Sequence, residues 1–435
     1  MSKEGRRKFD VVVIGGGPAG MAAAFHAARS GAHVAIIDDN PALGGQIWRG
    51  ETANSASDAA MWLERLLFAG VDIVSSTRVV DQLDGRVLLA ETARGFCEIE
   101  YRNLVVATGA RERFLPFPGW TLRNVLGAGA LAGLVKSGLA VSGKRVVVAG
   151  SGPLLLQVAS DLVKHGAQIA IICEQASRTS LAMFALRLAA HPSKVAQAML
   201  LRRELKGVRF APRSWPVAAE GDGILESVVL SRSGIHERIR CDYLACGFHL
   251  VPNTELAVLL GCRLENGSVA VDNFQRTSVA NIFAAGEPTG IGGVELALVE
   301  GQIAGLRAAG AGEDAHSLIS ARRKLGKFRD ALERAFRLRP ELKEVASPTT
   351  IVCRCEDVTW EQLKPYRSSR AAKLQTRCGM GPCQARVCGA ASEFLFGWKP
   401  DSIRPPVFPT TLENLAALAE EKADSESSAL MRGGS

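Results

Sequence analysis

Tyrosine and histidine are scarce: three and seven in 435 residues. His26, His33, His165 and His191 fall singly on expected helices or strand starts, where a surface or core role is more common than catalysis. No obvious acid–base pair for substrate chemistry stands out. No apolar run approaches the length needed to cross a bilayer, so no transmembrane segment is expected. The opening residues, Met1 to Lys8, lack the apolar region and cleavage site of a secretory leader and lead directly into a strand. With clustered thiols and no secretory signal, a reducing, cytoplasmic setting is expected. Aromatic residues make up 6% of the chain, and no stripe of them interleaves the basic residues, which argues against nucleic acid. The formal net charge is +8, and its arginines are scattered, among them Arg202-Arg203, Arg322-Arg323, Arg329, Arg334, Arg337 and Arg339. A solvated basic surface is the plain reading, and a docking face for an acidic partner protein comes second.

What is present begins with length. A chain of 435 residues is long for one core, and 47% hydrophobic content with abundant Gly and Ala fits an α/β protein of two or three domains. Phe9 to Ile14 reads as a buried parallel strand. Gly15-Gly16-Gly17-Pro18-Ala19-Gly20 follows, then an Ala-rich helix through Ser30 and a second strand, His33 to Ile37, ending at Asp38. This is G-x-G-x-x-G in the context it requires. Gly15 makes the tight turn, Gly17 admits a pyrophosphate to the backbone, and Gly20 lets helix pack on strand. Between them, Pro18 and Ala19 open a helix whose free N–H groups and dipole favour phosphate. Asp38 stands where a carboxylate accepts from ribose hydroxyls.

Further along, Leu43-Gly44-Gly45-Gln46 offers a second tight turn, and Leu104 to Val106 ends in Ala107-Thr108-Gly109. Asn281 to Ala285 ends in Gly286-Glu287, before a helix from Val294 to Ala309 whose N-terminus suits a ring that gains negative charge. These segments resemble the FAD signatures of the two-dinucleotide-binding flavoproteins, the glutathione-reductase-like fold. The resemblance implies FAD held by Gly15, Gly17, Pro18, Ala19, Gly20, Asp38, Gly45, Gln46, Ala107, Thr108, Gly109, Gly286 and Glu287. In that family the acid after the last glycine binds the flavin's ribityl chain. Here it is Glu287 in place of the commoner Asp.

A second unit repeats the pattern: strand Lys144 to Ala149, turn Gly150-Ser151-Gly152-Pro153-Leu154-Leu155, helix to Gly166, strand Gln168 to Cys173, then Glu174. Leu155 replaces the third glycine and is expected to push helix and strand apart. Two readings stand nearly level: binding of NAD or another adenine nucleotide at Gly150–Leu155, or a worn copy kept for architecture. Gly247-Phe248 resembles the family's element that closes this domain. The paired cysteines that disulfide reductases of this fold carry are missing, for Gly45 to Asn54 holds no Cys and Cys173 and Cys246 have no partner at such spacing. Cys97, Cys241 and Cys262 read as core residues.

Five of the ten cysteines crowd between Cys353 and Cys388. Thiolates packed among glycines suit an iron–sulfur cluster. The pattern Cys353-Arg354-Cys355, a helical gap bridged from Thr359 to Tyr366, then Gly379-Met380-Gly381-Pro382-Cys383 and Cys388, resembles the bacterioferritin-associated-ferredoxin type of [2Fe–2S] domain. That resemblance implies ligands Cys353, Cys355, Cys383 and Cys388. Cys378 with Cys383 has the same spacing as Cys383 with Cys388, and remains the alternative. Zinc ranks below, since it usually asks for C-x-x-C knuckles.

The expected organisation is a discontinuous FAD domain (1–115 and 265–312), a second nucleotide domain (116–264) entered through Pro116 and Pro118, a helical connector (313–347), a [2Fe–2S] domain (348–400) and a docking tail (401–435) with an apolar piece from Leu412 to Leu418 and a disordered end from Lys422. The fold class is thus α/β: two Rossmann-like domains plus a small helical iron–sulfur domain. Taken together, Gly15–Gly20, Leu43–Arg49, Phe117–Leu122, Gly150–Leu156 and Cys353–Val358 make nearly the whole chain resemble the alpha components of bacterial heteromeric opine oxidases and D-hydroxyproline or proline dehydrogenases, to which the second component of hydrogen cyanide synthase is similar. The resemblance implies a hetero-oligomer. A separate subunit related to D-amino-acid oxidases oxidises a secondary amine, and this chain receives the electrons. A small ferredoxin-like subunit completes some such assemblies, and some relatives hold FMN at a subunit interface. A self-sufficient NADH-dependent reductase and a nucleotide-binding scaffold are the competing readings.

Overall fold

The computed structural model describes residues 4–51, 57–83, 86–232, 234–399 and 403–416. The apolar run Val11 to Val13 is fully buried, as a central parallel strand covered on both faces must be. It belongs to the strand Glu4–Ile14 of a seven-stranded sheet. The order is Asp72–Val74, Val34–Ile37, Glu4–Ile14, Gly95–Val106, Val87–Thr92 and Arg78–Leu83, with Ile282–Ala284 also paired to Gly95–Val106. The long strand Gly95–Val106 serves two neighbours on one side. Its first half pairs antiparallel with Val87–Thr92, and its end pairs parallel with Ile282–Ala284.

Two helices cover one face of this sheet, Pro18–Arg29 and Val294–Ala308. They touch backbone to backbone because Gly301 and Gly305 have no side chain. A Cβ on either would lie 2.1 Å from the carbonyl oxygen of Ala19 or Ala23.

The second domain holds a five-stranded parallel sheet in the order Phe210–Pro212, Gln168–Glu174, Arg145–Ser151, Tyr243–Phe248, Val125–Gly127. An antiparallel meander, Ser214–Glu220, Ser227–Arg232 and Ile235–Arg240, accompanies it. The two domains are joined by the antiparallel pair Ala110–Glu112 and Leu250–Pro252. Leu256, Ala257, Leu260 and Cys262 pack with Phe9, Val12 and Leu104 in the core of the first sheet, on the N-terminal side of the boundary placed at 265 from sequence.

In the connector, Phe328, Leu332 and Phe336 from helix Ile319–Ala335 and its end pack against Ala176, Leu181 and Phe184 of the second domain. The cysteine region folds as a hairpin, Ile351–Cys353 with Val358–Thr359, and the helices Trp360–Leu363, Ser369–Thr376 and Cys388–Phe396. The helix foreseen from Thr359 to Tyr366 is thus a single turn, started by a reciprocal cap between Thr359 and Gln362. Val352, Val358, Leu363 and Trp398 form this region's own core.

Tail residues on either side of Thr411 bond to the first sheet, Asn414 of the apolar piece among them. Val407 N–H donates to Val80 O (2.8 Å), and Thr410 and Asn414 donate to Glu91 (2.6 Å each). Leu412 remains 83% exposed, since the short turn presents it away from the protein. Leu418 and the stretch from Lys422 lie outside the described residues. Among the described residues no helix is long and apolar enough to cross a membrane.

Candidate functional site

The first glycine turn packs against strand and loop so tightly that its glycines are sterically required. A Cβ on Gly20 would stand 1.8 Å from Gly15 O, and one on Gly15 would stand 2.2 Å from Ala107 O. Helix Pro18–Arg29 begins directly after Gly17: Pro18, which has no N–H to leave unpaired, takes the first position, and the N–H groups from Ala19 onward lie at the open end. The second turn closes on the first: Gly44 N–H donates to Gly16 O (2.8 Å), and Gly45, at φ +59°, faces Gly17. Gln46 follows on the exposed rim.

Asp38 is buried at the end of its strand. One carboxylate oxygen accepts from Gly16 N–H, and the other from Asn40 N–H (2.7 Å) and Asn40 Nδ2 (2.8 Å). A carboxylate offers about four acceptor positions, so a ribose hydroxyl still finds one. Ala107, Thr108 and Gly109 are held in place by Asn253. Thr108 Oγ1 donates to Asn253 O (2.6 Å) and Asn253 Nδ2 donates back to Thr108 O (2.9 Å).

Gly286, at φ +78°, and Glu287 form the loop after strand Ile282–Ala284. Burial raises the Glu287 carboxyl to about 7. Glu300 escaped the sequence reading. It is fully buried on helix Val294–Ala308, accepts from Gly286 N–H (3.1 Å) and Thr289 Oγ1 (3.0 Å), and pairs with Arg322 (3.4 Å). Nothing local marks it, because Arg322 arrives from the connector.

The second turn copies the first. Glu174 is buried and accepts from Gly152 N–H (2.7 Å) and Ala176 N–H (2.8 Å); burial raises it to about 7 against those donors. Leu155 is buried with Val146, Val148 and Val158, and its helix starts at Leu154, one position later than the helix at Pro18. Connector backbone lies against this turn. Ser151 Oγ donates to Phe336 O (3.2 Å), Gln175 Nε2 donates to Arg337 O (3.3 Å), and Gln175 Oε1 accepts from Arg339 N–H (3.2 Å).

The five cysteines of the C-terminal region converge. The sulfurs of Cys353, Cys378 and Cys388 lie within 4.8 Å of one another. Cys383 neighbours Cys388 and also Cys355, which is the exposed member. Gly379 N–H points at Cys353 Sγ (3.5 Å). Contacts from the Cys378 and Cys388 thiols hold Cys353 far below the usual thiol value, and Cys388 is raised in return. Gly381 presses on Cys355, where a Cβ would lie 2.2 Å from the cysteine's own Cβ. Crowded thiols, a backbone donor to sulfur and an apolar shell fit an iron–sulfur centre. The remaining cysteines are buried, and burial lifts Cys173 and Cys241 to about 12, which leaves them inert.

Residues 9–304 match the family described as pyridine nucleotide-disulphide oxidoreductase. The chain belongs to that family. Membership implies FAD and makes the chain a flavoprotein oxidoreductase. Relatives extend past the family's span into the cysteine region. The HcnB component of hydrogen cyanide synthase from Pseudomonas aeruginosa is 32% identical, covering 87% of this chain and 90% of its own. The A component of opine oxidase from Rhizobium meliloti is 30% identical, covering 95% and 88%. Among solved structures, L-proline dehydrogenase from P. horikoshii superposes with a TM-score of 0.68 at 20% identity, covering 95% of this chain and 81% of its own, a likeness of fold.

Proposed function

We propose that this chain is the electron-transfer subunit of a heteromeric dehydrogenase or oxidase that acts on the CH–NH group of a secondary amine such as an opine or (hydroxy)proline. The amine chemistry lies on a partner subunit of the D-amino-acid-oxidase type. Bound FAD exchanges an electron pair, and a [2Fe–2S] cluster passes electrons singly. The first site is the flavin cradle: Gly15, Gly17, Pro18, Ala19 and Gly20 receive the pyrophosphate, Asp38 the ribose, and Gly45 and Gln46 border the cofactor. Ala107, Thr108, Gly109, Gly286 and Glu287 line its far end. Cys353, Cys355, Cys383 and Cys388 ligate the cluster.

The observation that carries this reading is Arg111. It stands on the exit strand of the flavin domain, pairs with Glu255 (2.8 Å), donates to Asn253 Oδ1 (2.7 Å), and donates to the backbone oxygen of Arg386 (3.0 Å), between Cys383 and Cys388. One side chain thus ties the thiol loop to the residue that orients Thr108. Such coupling suits electron passage between the two centres. Connector backbone against Ser151 and Gln175 favours this role over self-sufficient NADH reduction.

An anaerobic visible spectrum tests it. Flavin and cluster bands are expected to ignore NADH and to bleach with an opine or imino acid once the partner subunit is added. Rapid bleaching by NADH alone would overturn the proposal.

A further inference from the structure

Five thiols meet where a cluster needs four, and the surplus one is not at the edge. Helix Ser369–Thr376 ends at Arg377 in the left-handed region (φ 64°), and Gly379 (φ 82°) completes the turn. Cys378 lies between them, its N–H on Thr376 Oγ1 (3.3 Å). The turn delivers its sulfur to within 4.8 Å of both Cys353 and Cys388. Cys388 comes from a different element, the first residue of helix Cys388–Phe396. Two independently anchored thiols therefore flank Cys353. Cys378 is half-buried, and so is shielded more than the exposed Cys355.

We propose that Cys378 is a reserve ligand of the cluster, placed to take over from Cys388 beside Cys353. This rests on the [2Fe–2S] reading above. The exchange is a ligand substitution. The iron–sulfur bond to Cys388 breaks, the Cys378 thiol gives up its proton, and its sulfur binds the same iron. The Cys388 thiolate takes up a proton, so charge is unchanged and no electron moves.

The test compares iron, acid-labile sulfide and the paramagnetic resonance spectrum of the reduced full-length protein in wild type, C378S, C388S and C378S/C388S. Wild type and C378S are expected to share one spectrum. C388S is expected to keep iron within about two-fold of wild type with a shifted resonance, and the double variant to lose it at least roughly ten-fold. Equal loss in C388S and the double variant would overturn the inference. Retained flavin confirms that each variant is folded. Should C388S fold poorly, C388A against C378S/C388A makes the same comparison, with the same outcomes. A folded wild type reconstituted with ferrous iron and sulfide that holds flavin but no iron refutes the cluster reading itself, and the inference with it.

Discussion

Glu174 shows how far one buried carboxyl departs from solution behaviour. Between its ordinary value of 4.5 and about 7, the folded protein keeps a proton that the unfolded chain has released. Stability therefore falls as pH rises through that window and levels off above it. At about 1.4 kcal/mol per unit the ceiling is about 3 kcal/mol. Glu174→Gln removes the titration while losing one acceptor. Unfolding midpoints are expected to shift in favour of the variant, relative to wild type, between pH 5 and 7. A constant difference across that range would show that the carboxyl titrates normally. The residue was legible from its place after a strand. Its burial was not, since that depends on how the Gly152 turn and the backbone at Ala176 close around the carboxyl.

At the scale of elements, the glycine turns and the strands that feed them could be read because their constraint is local: a run of buried apolar residues, then a backbone contact that admits no Cβ. The second turn was half-legible. Leucine in place of glycine signalled a changed approach, which the fold meets by starting the helix one position later and burying Leu155. The tail was legible as a docking strap but not in its contacts. Phe408 lies near the guanidinium groups of both Arg78 (5.1 Å) and Arg386 (4.2 Å), a pairing of distant residues that no local pattern reveals. Helix Val294–Ala308 carries a sharper consequence. Glu300→Ala would leave Arg322, only 17% exposed, without its partner and the loop at Gly286 without its acceptor. A loss of about 3 kcal/mol is expected from denaturant unfolding, with weaker flavin retention. Glu300→Gln, which keeps one acceptor oxygen for the loop, is expected to retain more flavin than the alanine variant.

At the scale of the molecule, apolar packing joins the connector and cysteine region to the second domain, and Arg111 adds a polar tie to the first. Arg111→Ala is expected to speed amide hydrogen exchange in the 378–388 loop while the strand Arg145–Ser151 keeps its protection. Lysine at this position would hold the pair with Glu255 but lack the planar fork that reaches Asn253 and Arg386 together. Unchanged exchange in the loop would show that the tail and Trp120, whose indole donates to Ile351 O (2.6 Å), suffice to seat it. The first sheet, finally, bears on how the chain is made. Its strand Ile282–Ala284 and its covering helix are synthesised after the entire second domain. On the ribosome the inserted domain can complete its hydrogen-bond ladders first, while the first sheet waits with an open edge until about residue 308 has emerged. The proposed cofactor cradle that begins at Gly15 is consequently among the last parts of the molecule to be finished, although its sequence is among the first to be translated.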